Sequence, residues 1–220
     1  MRTCGKDTAV LIDGGFLRNA FKNKFSIDSG HGNHKEAHIS VAQVIKNVSL
    51  ICPEDRLFRI YYYDATPFDG KKTNPLSNKE IDFKNSTTYS NIVVFQNGLA
   101  RSKKVAFRKG HLAFRGWKIK NLKDFRDKID KNIKISEKDL APALEQKMVD
   151  IKIGLDIAWL SMKRIVDRII IVTSDSDFIP VMKFARKEGM EVILCSIDKE
   201  FKKELLEHVD EFMELNLIEQ

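Results

Sequence analysis

The chain has 220 residues, of which 43% are hydrophobic and 31% are charged, and its formal net charge is +7. This length suffices for one α/β domain with a well-filled core, and the composition is that of a globular protein. No apolar run is long enough to cross a bilayer, and the N-terminal residues lack the pattern of a signal peptide. Three widely spaced cysteines argue against a disulfide framework or a zinc site, so we expect a cytoplasmic protein with no membrane partner.

The first predicted elements are a strand and two helices. Residues 8–12 form a short apolar run that ends at Asp13 and two glycines, which is typical of a buried strand. Helical spacing of apolar residues starts at Phe16 and returns over residues 39–50.

The middle of the chain is less regular. The aromatic run 57–63 predicts a strand that ends at Asp64. Residues 65–90 are rich in proline, serine, threonine and asparagine, which predicts a long loop. A near-repeat within residues 104–119 indicates two short strands or a hairpin, and the apolar spacing in residues 121–133 predicts an amphipathic helix.

The last third alternates clearly between helix and strand. A long helix is predicted over residues 143–163, and a second follows from about Phe178 to Lys187. The apolar runs 168–172 and 191–197 predict buried strands. Such alternation favours a three-layer α/β/α sandwich around a mostly parallel sheet. The inward face of the long helix is predicted to carry Leu144, Met148, Ile151, Leu155, Trp159 and Met162.

Acidic residues follow several of these strands. Asp13, Asp64, Asp175 and Asp177 stand at strand ends, and Asp150 lies on the long predicted helix. Parallel sheets place their sites at the carboxyl ends of their strands. Carboxylates gathered there repel one another unless a cation lies among them, and their hard oxygens select Mg²⁺ or Mn²⁺. Such an ion can activate water for attack on a phosphodiester.

Several of these acids also have a purely structural interpretation. Asp13 suits a turn before two glycines, and Asp64 suits the start of a turn. Asp177 suits the N-cap of the helix that begins at Phe178. Capping and metal ligation are compatible, so both interpretations of Asp177 stay open.

The long helix contains two further aspartates. Asp150 needs a partner if it is buried, and Lys147, three residues earlier, is the expected one. Asp156 points elsewhere around the helix and is expected to pair with Lys152 or Lys163.

One segment carries the positive excess of the chain. Residues 101–134 contain 13 lysines or arginines and three acidic residues. A solvated charged face would have this composition, and so would a surface that binds a phosphate backbone. The candidate nucleic-acid contacts are Lys103, Lys104, Arg108, Lys109, Arg115 and Lys118.

Four sequence pieces, taken in order, resemble the NYN domain, a PIN-like family. They are Leu11–Gly15, Tyr61–Asp64, Lys147 with Asp150 and Asp156, and Ser174–Phe178. The resemblance implies a PIN-like sandwich over residues 1–220, with a variable basic insertion at about 66–140. It also implies an endoribonuclease that holds Mg²⁺ or Mn²⁺ on Asp13, Asp150, Asp175 and Asp177, supported by Lys147, Asp156, Asp64 and Ser174. Many members have an asparagine shortly after the first aspartate, where this chain has Gly15 and Phe16.

Two other functions stay open at this point. A non-catalytic RNA-binding or assembly module of the same fold would need the basic segment but no metal. A DNA-directed nuclease would use the same acids, because no residue singled out here reads the 2′-hydroxyl that distinguishes RNA from DNA. The resemblance is compatible with a homodimer, for which the sequence has no interface signature.

Overall fold

The computed structural model of the chain describes residues 7–28, 34–35, 37–197 and 203–218. Its strands are β1 (Thr8–Asp13), β2 (Ile27–Asp28), β3 (His34–Lys35), β4 (Leu57–Thr66), β5 (Lys71–Thr73), β6 (Glu80–Asp82), β7 (Val105–Ile119), β8 (Leu140–Lys147), β9 (Arg168–Val172), β10 (Glu191–Ile197) and β11 (Glu211–Leu215). Its helices are α1 (Gly14–Phe25), α2 (Val41–Ile51), α3 (Thr87–Ala100), α4 (Leu122–Asp130), α5 (Val149–Lys163), α6 (Ile179–Lys187) and α7 (Lys203–Leu206), and 3-10 turns lie at Glu137–Asp139 and Ser176–Phe178. Within these described ranges, no helix has the length and apolar character needed to span a membrane.

The central sheet has seven strands in the order β11-β10-β9-β1-β4-β7-β8. Strand β1 lies between β4 and β9 and is parallel to both, and β10 is parallel to β9 and β11. Strands β7 and β8 pair in antiparallel register. Helices flank the sheet, which confirms the predicted α/β/α sandwich.

The core forms because the central strands are apolar on both faces. Val10 on β1 and Val172 on β9 belong to a buried cluster that also contains Leu17 and Phe21 of α1 and Val48 of α2. Each such side chain contributes about 1.5–3 kcal/mol when it is fully buried. The strands β1 and β9 are therefore held rigidly, and the residues that follow them start from fixed positions.

The chain divides into two compact units. Unit 1 comprises Met1–Asp64, Phe95–Lys109 and Met148–Gln220, and it contains β1, β9, β10 and β11 with α1, α2, α5 and α6. Unit 2 comprises Ala65–Val94 and Gly110–Lys147.

Unit 2 has a small aromatic cluster of its own. The rings of Phe68 and Phe114 stack with centroids 5.9 Å apart, and Phe83 and Trp117 meet them edge-on. The indole nitrogen of Trp117 donates a hydrogen bond to the carbonyl of Thr73 at 3.0 Å. The hydrogen bond connects β5 to β7, and the rings form a partly exposed cluster beside it.

Three predicted elements are wrong in the middle of the chain. Residues 65–90 are not a single loop, because β5 and β6 pair within them and α3 begins there. Residues 105–119 form the single strand β7 rather than two short strands or a hairpin. The long helix does not begin near Pro142, because residues 140–147 form β8 and Met148 adopts a left-handed φ of 71°. This turn makes Val149 the first helical residue.

The predicted inward face of the long helix is also wrong. Helix α5 has two apolar faces, and helical spacing alone does not indicate which of them is buried. The buried side chains are Val149, Ile153, Ile157 and Leu160. The exposed ones include Met148, Ile151, Leu155, Trp159 and Met162.

Candidate active site

Two aspartates stand at the carboxyl ends of neighbouring parallel strands. Asp13 is the last residue of β1, and Asp175 follows β9, which pairs with β1 in parallel register. The carboxylate of Asp13 accepts a hydrogen bond from the backbone N–H of Phe16 at 3.1 Å and caps α1. A capping role and a place at the strand ends therefore coincide in one residue.

Gly14 fixes the position of Asp13. A Cβ atom at Gly14 would lie 2.5 Å from Cε1 of Tyr62 and 2.6 Å from the carbonyl oxygen of Tyr63. No real side chain fits such distances, so a residue without a Cβ is needed where β1 turns into α1.

The turn after β9 differs from its predicted form. The carboxylate of Asp175, not that of Asp177, caps the 3-10 turn, and it accepts from the N–H of Asp177 at 3.0 Å. The N–H of Asp175 donates to the hydroxyl of buried Thr173 at 3.1 Å. Thr173 was missed from sequence because a buried threonine after a strand looks like a strand residue. Ser174 lies between Thr173 and Asp175 and is partly exposed.

Asp150 lies in the first turn of α5 and is exposed. Its predicted partner Lys147 belongs to β8 and pairs instead with Glu145. The prediction was wrong because the helix starts at Val149, so Lys147 and Asp150 do not share a helical face.

Burial and neighbouring acids raise the pKa values of two of these acids. Burial raises the pKa of Asp13 above its ordinary value of 3.8, and the charges of Asp150 and Asp64 also raise it. The hydrogen bond from the Phe16 N–H lowers this pKa. Burial also raises the pKa of Asp150, and Asp175 and Asp177 add to that shift. We call Asp13, Asp150, Asp175 and Asp177 the acidic quartet.

The acidic quartet has the donor chemistry of a hard divalent cation. Its members supply carboxylate oxygens, which Mg²⁺ and Mn²⁺ prefer. A bound cation would offset the repulsion that raises the two pKa values. Among the described residues, no three metal-ligating side chains converge closely enough to enclose an ion. The quartet thus matches such a cation in donor chemistry and charge, while the described positions of its side chains do not enclose one.

Asp64 is neutralised inside unit 1. It lies within β4 rather than at its end, and its side chain is fully buried. One carboxylate oxygen accepts from Arg18 at 2.7 Å and the other from Gln96 at 3.1 Å. Arg18 also donates to the carbonyl oxygen of Gly14 at 3.3 Å. Arg18 and Gln96 were missed because they lie 46 and 32 residues from Asp64 in the sequence.

Asp156 is neutralised as well, but not by the predicted lysines. Arg108 donates to its two carboxylate oxygens at 2.8 and 3.2 Å, and the hydroxyl of Tyr63 donates at 2.9 Å. Lys152, one of the two expected partners, donates to the carbonyl oxygen of Lys109. The distant partner Arg108 is brought there by β7, which sequence spacing on α5 alone does not reveal.

A recess of about 510 Å³ lies beside this ion pair. Its charged lining is mainly basic, so it suits an anionic group better than a cation. The lining residues are Phe107, Arg108, Lys109, Lys152, Leu155 and Asp156.

The other predicted nucleic-acid contacts are distributed over both units. In unit 1, Lys103 lies 3.7 Å from the carboxylate of Glu54, and Lys104 donates to the carbonyl of Glu54 at 2.8 Å. In unit 2, Arg115 pairs with Glu145 at 2.6 Å, and Lys118 is exposed on β7. The positive segment therefore does not belong to a single unit.

Comparisons with known proteins agree with this architecture. The family model of the NYN domain matches residues 81–216, a range that includes Asp150, Asp156, Asp175 and Asp177 but not Asp13. A crystal structure of a protein of unknown function from Vibrio parahaemolyticus superposes with a TM-score of 0.52 at 12% identity, over 98% of this chain and 97% of that one. This likeness shows the fold alone. The search of curated proteins gives no match.

Proposed function

The chain belongs to the NYN domain family, and on that premise we propose that it is a metal-dependent endoribonuclease whose acidic quartet forms the active site. The observation that supports the proposal is the position of Asp13 and Asp175 at the carboxyl ends of the adjacent parallel strands β1 and β9. Asp13 and Asp150 have raised pKa values, and the causes that act on Asp150 all raise it. Side chains that destabilise one another in this way are retained where a cation or a substrate compensates them.

Two of the acids would hold the cation in the proposed reaction. Asp13 is held by the cap on α1 and by the tight turn at Gly14, so it would be a rigid cation ligand. Asp175 is held by Asp177 and Thr173, and it would be a second ligand. A bound Mg²⁺ or Mn²⁺ would supply charge neutralisation and a more acidic water.

Asp150 is the best-placed proton acceptor of the quartet. Its raised pKa makes its carboxylate a stronger base than an ordinary aspartate, and it is exposed. It would take a proton from the attacking water, whose oxygen then bonds to phosphorus. The phosphorus–oxygen bond to the leaving nucleotide breaks, and that oxygen takes up a proton, so the net reaction is hydrolysis.

The recess beside Asp156 would hold a phosphate of the substrate. Lys109 and Lys152 line it together with Arg108. Arg108 is already bound to Asp156, so its role there would be to shape the recess while the lysines supply the attraction. Removing either lysine should weaken RNA binding and leave the chemical step intact.

The test is cleavage of labelled single-stranded RNA and matched DNA with Mn²⁺, with Mg²⁺ and with EDTA. The variant is Asp175→Asn, because an amide oxygen can still accept from the N–H of Asp177 and keep the turn. The matched control is Asp127→Asn, an exposed aspartate on α4.

We expect metal-dependent RNA cleavage that Asp175→Asn lowers by about 100-fold or more, as when one group that stabilises transition-state charge is removed. The control should cleave like the wild type. Full activity in Asp175→Asn would overturn the assignment. RNA binding without cleavage, unchanged by EDTA, would establish the non-catalytic module. Preferential cleavage of DNA would show that the substrate is DNA rather than RNA.

A further inference from the structure

Unit 2 buries none of its large side chains. All of its residues lie within the described ranges, and the buried ones are Ala65, Asn74 and Gly110. Its aromatic cluster, which consists of four side chains that contact one another, remains partly exposed. The four are Phe68, Phe83, Phe114 and Trp117. Large apolar side chains that are left exposed together, rather than singly, mark a binding surface.

The rings of the aromatic cluster are held in place by one another and by the backbone. Phe68 and Phe114 lie nearly parallel, at an angle of 27°, and Trp117 meets Phe114 at 77° with ring centroids 5.8 Å apart. The hydrogen bond from the indole N–H to the carbonyl of Thr73 fixes the Trp117 ring as well. A planar group that stacks on these rings therefore has few side chains to order, which lowers the entropic cost of binding.

A lysine lies over two of these rings. Nζ of Lys72 is 5.1 Å from the ring centroid of Phe114 and 5.9 Å from that of Phe68, within the range of a cation–π contact. The neighbouring Lys71 pairs with Glu80 at 3.1 Å, whereas Lys72 has no carboxylate partner in the described part of the chain. Its stem is flexible, so the ammonium can turn to a phosphate while a base takes its place on the ring. Rings for bases beside cations for the backbone are the groups with which proteins bind single strands.

The charge of unit 2 favours a polyanion as the partner. Unit 2 contains 14 lysines or arginines and nine acidic residues, so it carries a formal charge of +5 out of the +7 of the whole chain. A surface of this sign attracts a phosphate backbone. A partner that combines planar rings with negative charge matches the aromatic cluster better than an apolar protein surface does.

We propose that the aromatic cluster of unit 2 stacks on unpaired bases of single-stranded RNA while Lys72 contacts the phosphate backbone. This inference rests on the proposed function in taking RNA as the ligand, and it adds that the bound strand is unpaired. Bases within a duplex stack on one another, so their faces cannot reach a protein ring, whereas those of a single strand can. Stacking uses the face that every base has, so binding should depend little on base sequence.

The first test uses the fluorescence of Trp117. The chain has two tryptophans, and the second, Trp159, is 47% exposed on α5 in unit 1, so Trp159→Phe leaves Trp117 as the only one. The probes are a short single-stranded RNA, the same RNA as a duplex, and a strand of equal length that lacks its bases, all in EDTA. Single-stranded RNA should quench the emission, and the other two should not. Emission unchanged by saturating single-stranded RNA would overturn the proposal.

The second test compares affinities by fluorescence anisotropy of labelled strands in EDTA. Phe114→Leu should lower the affinity for single-stranded RNA by about 5- to 150-fold, which corresponds to one lost base stack, and leave that for the base-free strand unchanged. The matched control is Phe125→Leu, the same change at a partly exposed phenylalanine of α4 outside the cluster, and it should bind like the wild type. Lys72→Gln should weaken binding of both strands, because it removes a phosphate contact. Circular dichroism checks that each variant is folded.

The two proposals can fail separately. If Phe114→Leu bound single-stranded RNA like the wild type, or if the wild type bound the base-free strand equally well, stacking on unit 2 would be excluded, whatever the cleavage activity. RNA that is bound through its bases but never cleaved would support the stacking surface and contradict the nuclease. Should Phe114→Leu not fold, the emission of Trp117 still decides, because that measurement leaves the aromatic cluster intact.

Discussion

The aspartates of unit 1 lie in two opposite electrostatic environments. Asp64 and Asp156 each accept hydrogen bonds from an arginine and from a second donor, and both are largely buried. The acidic quartet lies at the ends of β1 and β9 and at the start of α5, where burial and neighbouring acids raise the pKa values of Asp13 and Asp150. Aspartates of the first kind are neutralised by their partners, whereas the raised pKa values of Asp13 and Asp150 mean that their charged forms cost stability.

The largest difference should come from removing one aspartate of each kind. Asp64→Ala leaves Arg18 and Gln96 without their shared carboxylate in the interior of unit 1. Breaking a buried pair in this way costs about 3–5 kcal/mol. Asp150→Ala removes a repelling charge, so the free energy of unfolding should stay the same or rise. Urea unfolding of both variants without metal measures the contrast. Equal losses would mean that the two kinds of aspartate do not differ.

A cation should have the next largest effect. Ligand bound only to the folded state at 100 times its dissociation constant stabilises that state by about 2.7 kcal/mol. Mn²⁺ should therefore raise the melting temperature of the wild type, and Asp13→Asn should reduce the rise. Asp156→Asn is the control, because Arg108 already neutralises that carboxylate. If Asp13→Asn responded to Mn²⁺ like the wild type, the ion would bind elsewhere.

The smallest effect should be a pH dependence of stability. A carboxyl group whose pKa is raised on folding favours the folded state below its ordinary value of 3.8. This stabilisation of the folded state is lost as the pH rises through the raised pKa. In EDTA, the stability of Asp150→Asn relative to the wild type should therefore increase with pH above 3.8 and then level off. Denaturant unfolding of both proteins between pH 4 and 8 measures the difference. A difference that stays constant over this range would exclude the raised pKa.

The strands that were predicted correctly are those whose apolar runs fit only one kind of secondary structure. The strands at residues 8–12, 168–172 and 191–197 are present because such runs fit only a sheet buried on both faces. Because these strands lie parallel, the predicted meeting of Asp13 and Asp175 at one edge followed directly.

The errors arose where one pattern fits two structures. The apolar residues of β8 continue the helical spacing of α5, so the two elements were predicted as one helix. Ion-pair partners on other elements were also missed. Arg18 and Arg108 are remote in sequence from Asp64 and Asp156, and spacing along one helix does not reveal such contacts.

The parallel pairing of β1 also dictates when the candidate site can form. Thr8 pairs with Arg168, so about 160 residues separate the two strands along the chain. At 5–20 residues per second, ribosomes need roughly 8–30 s to cover that distance. During this time Asp13 has left the ribosome while Asp175 has not yet been synthesised. A nascent chain therefore cannot assemble the acidic quartet until most of the domain has emerged from the ribosome, so the candidate site forms late in synthesis.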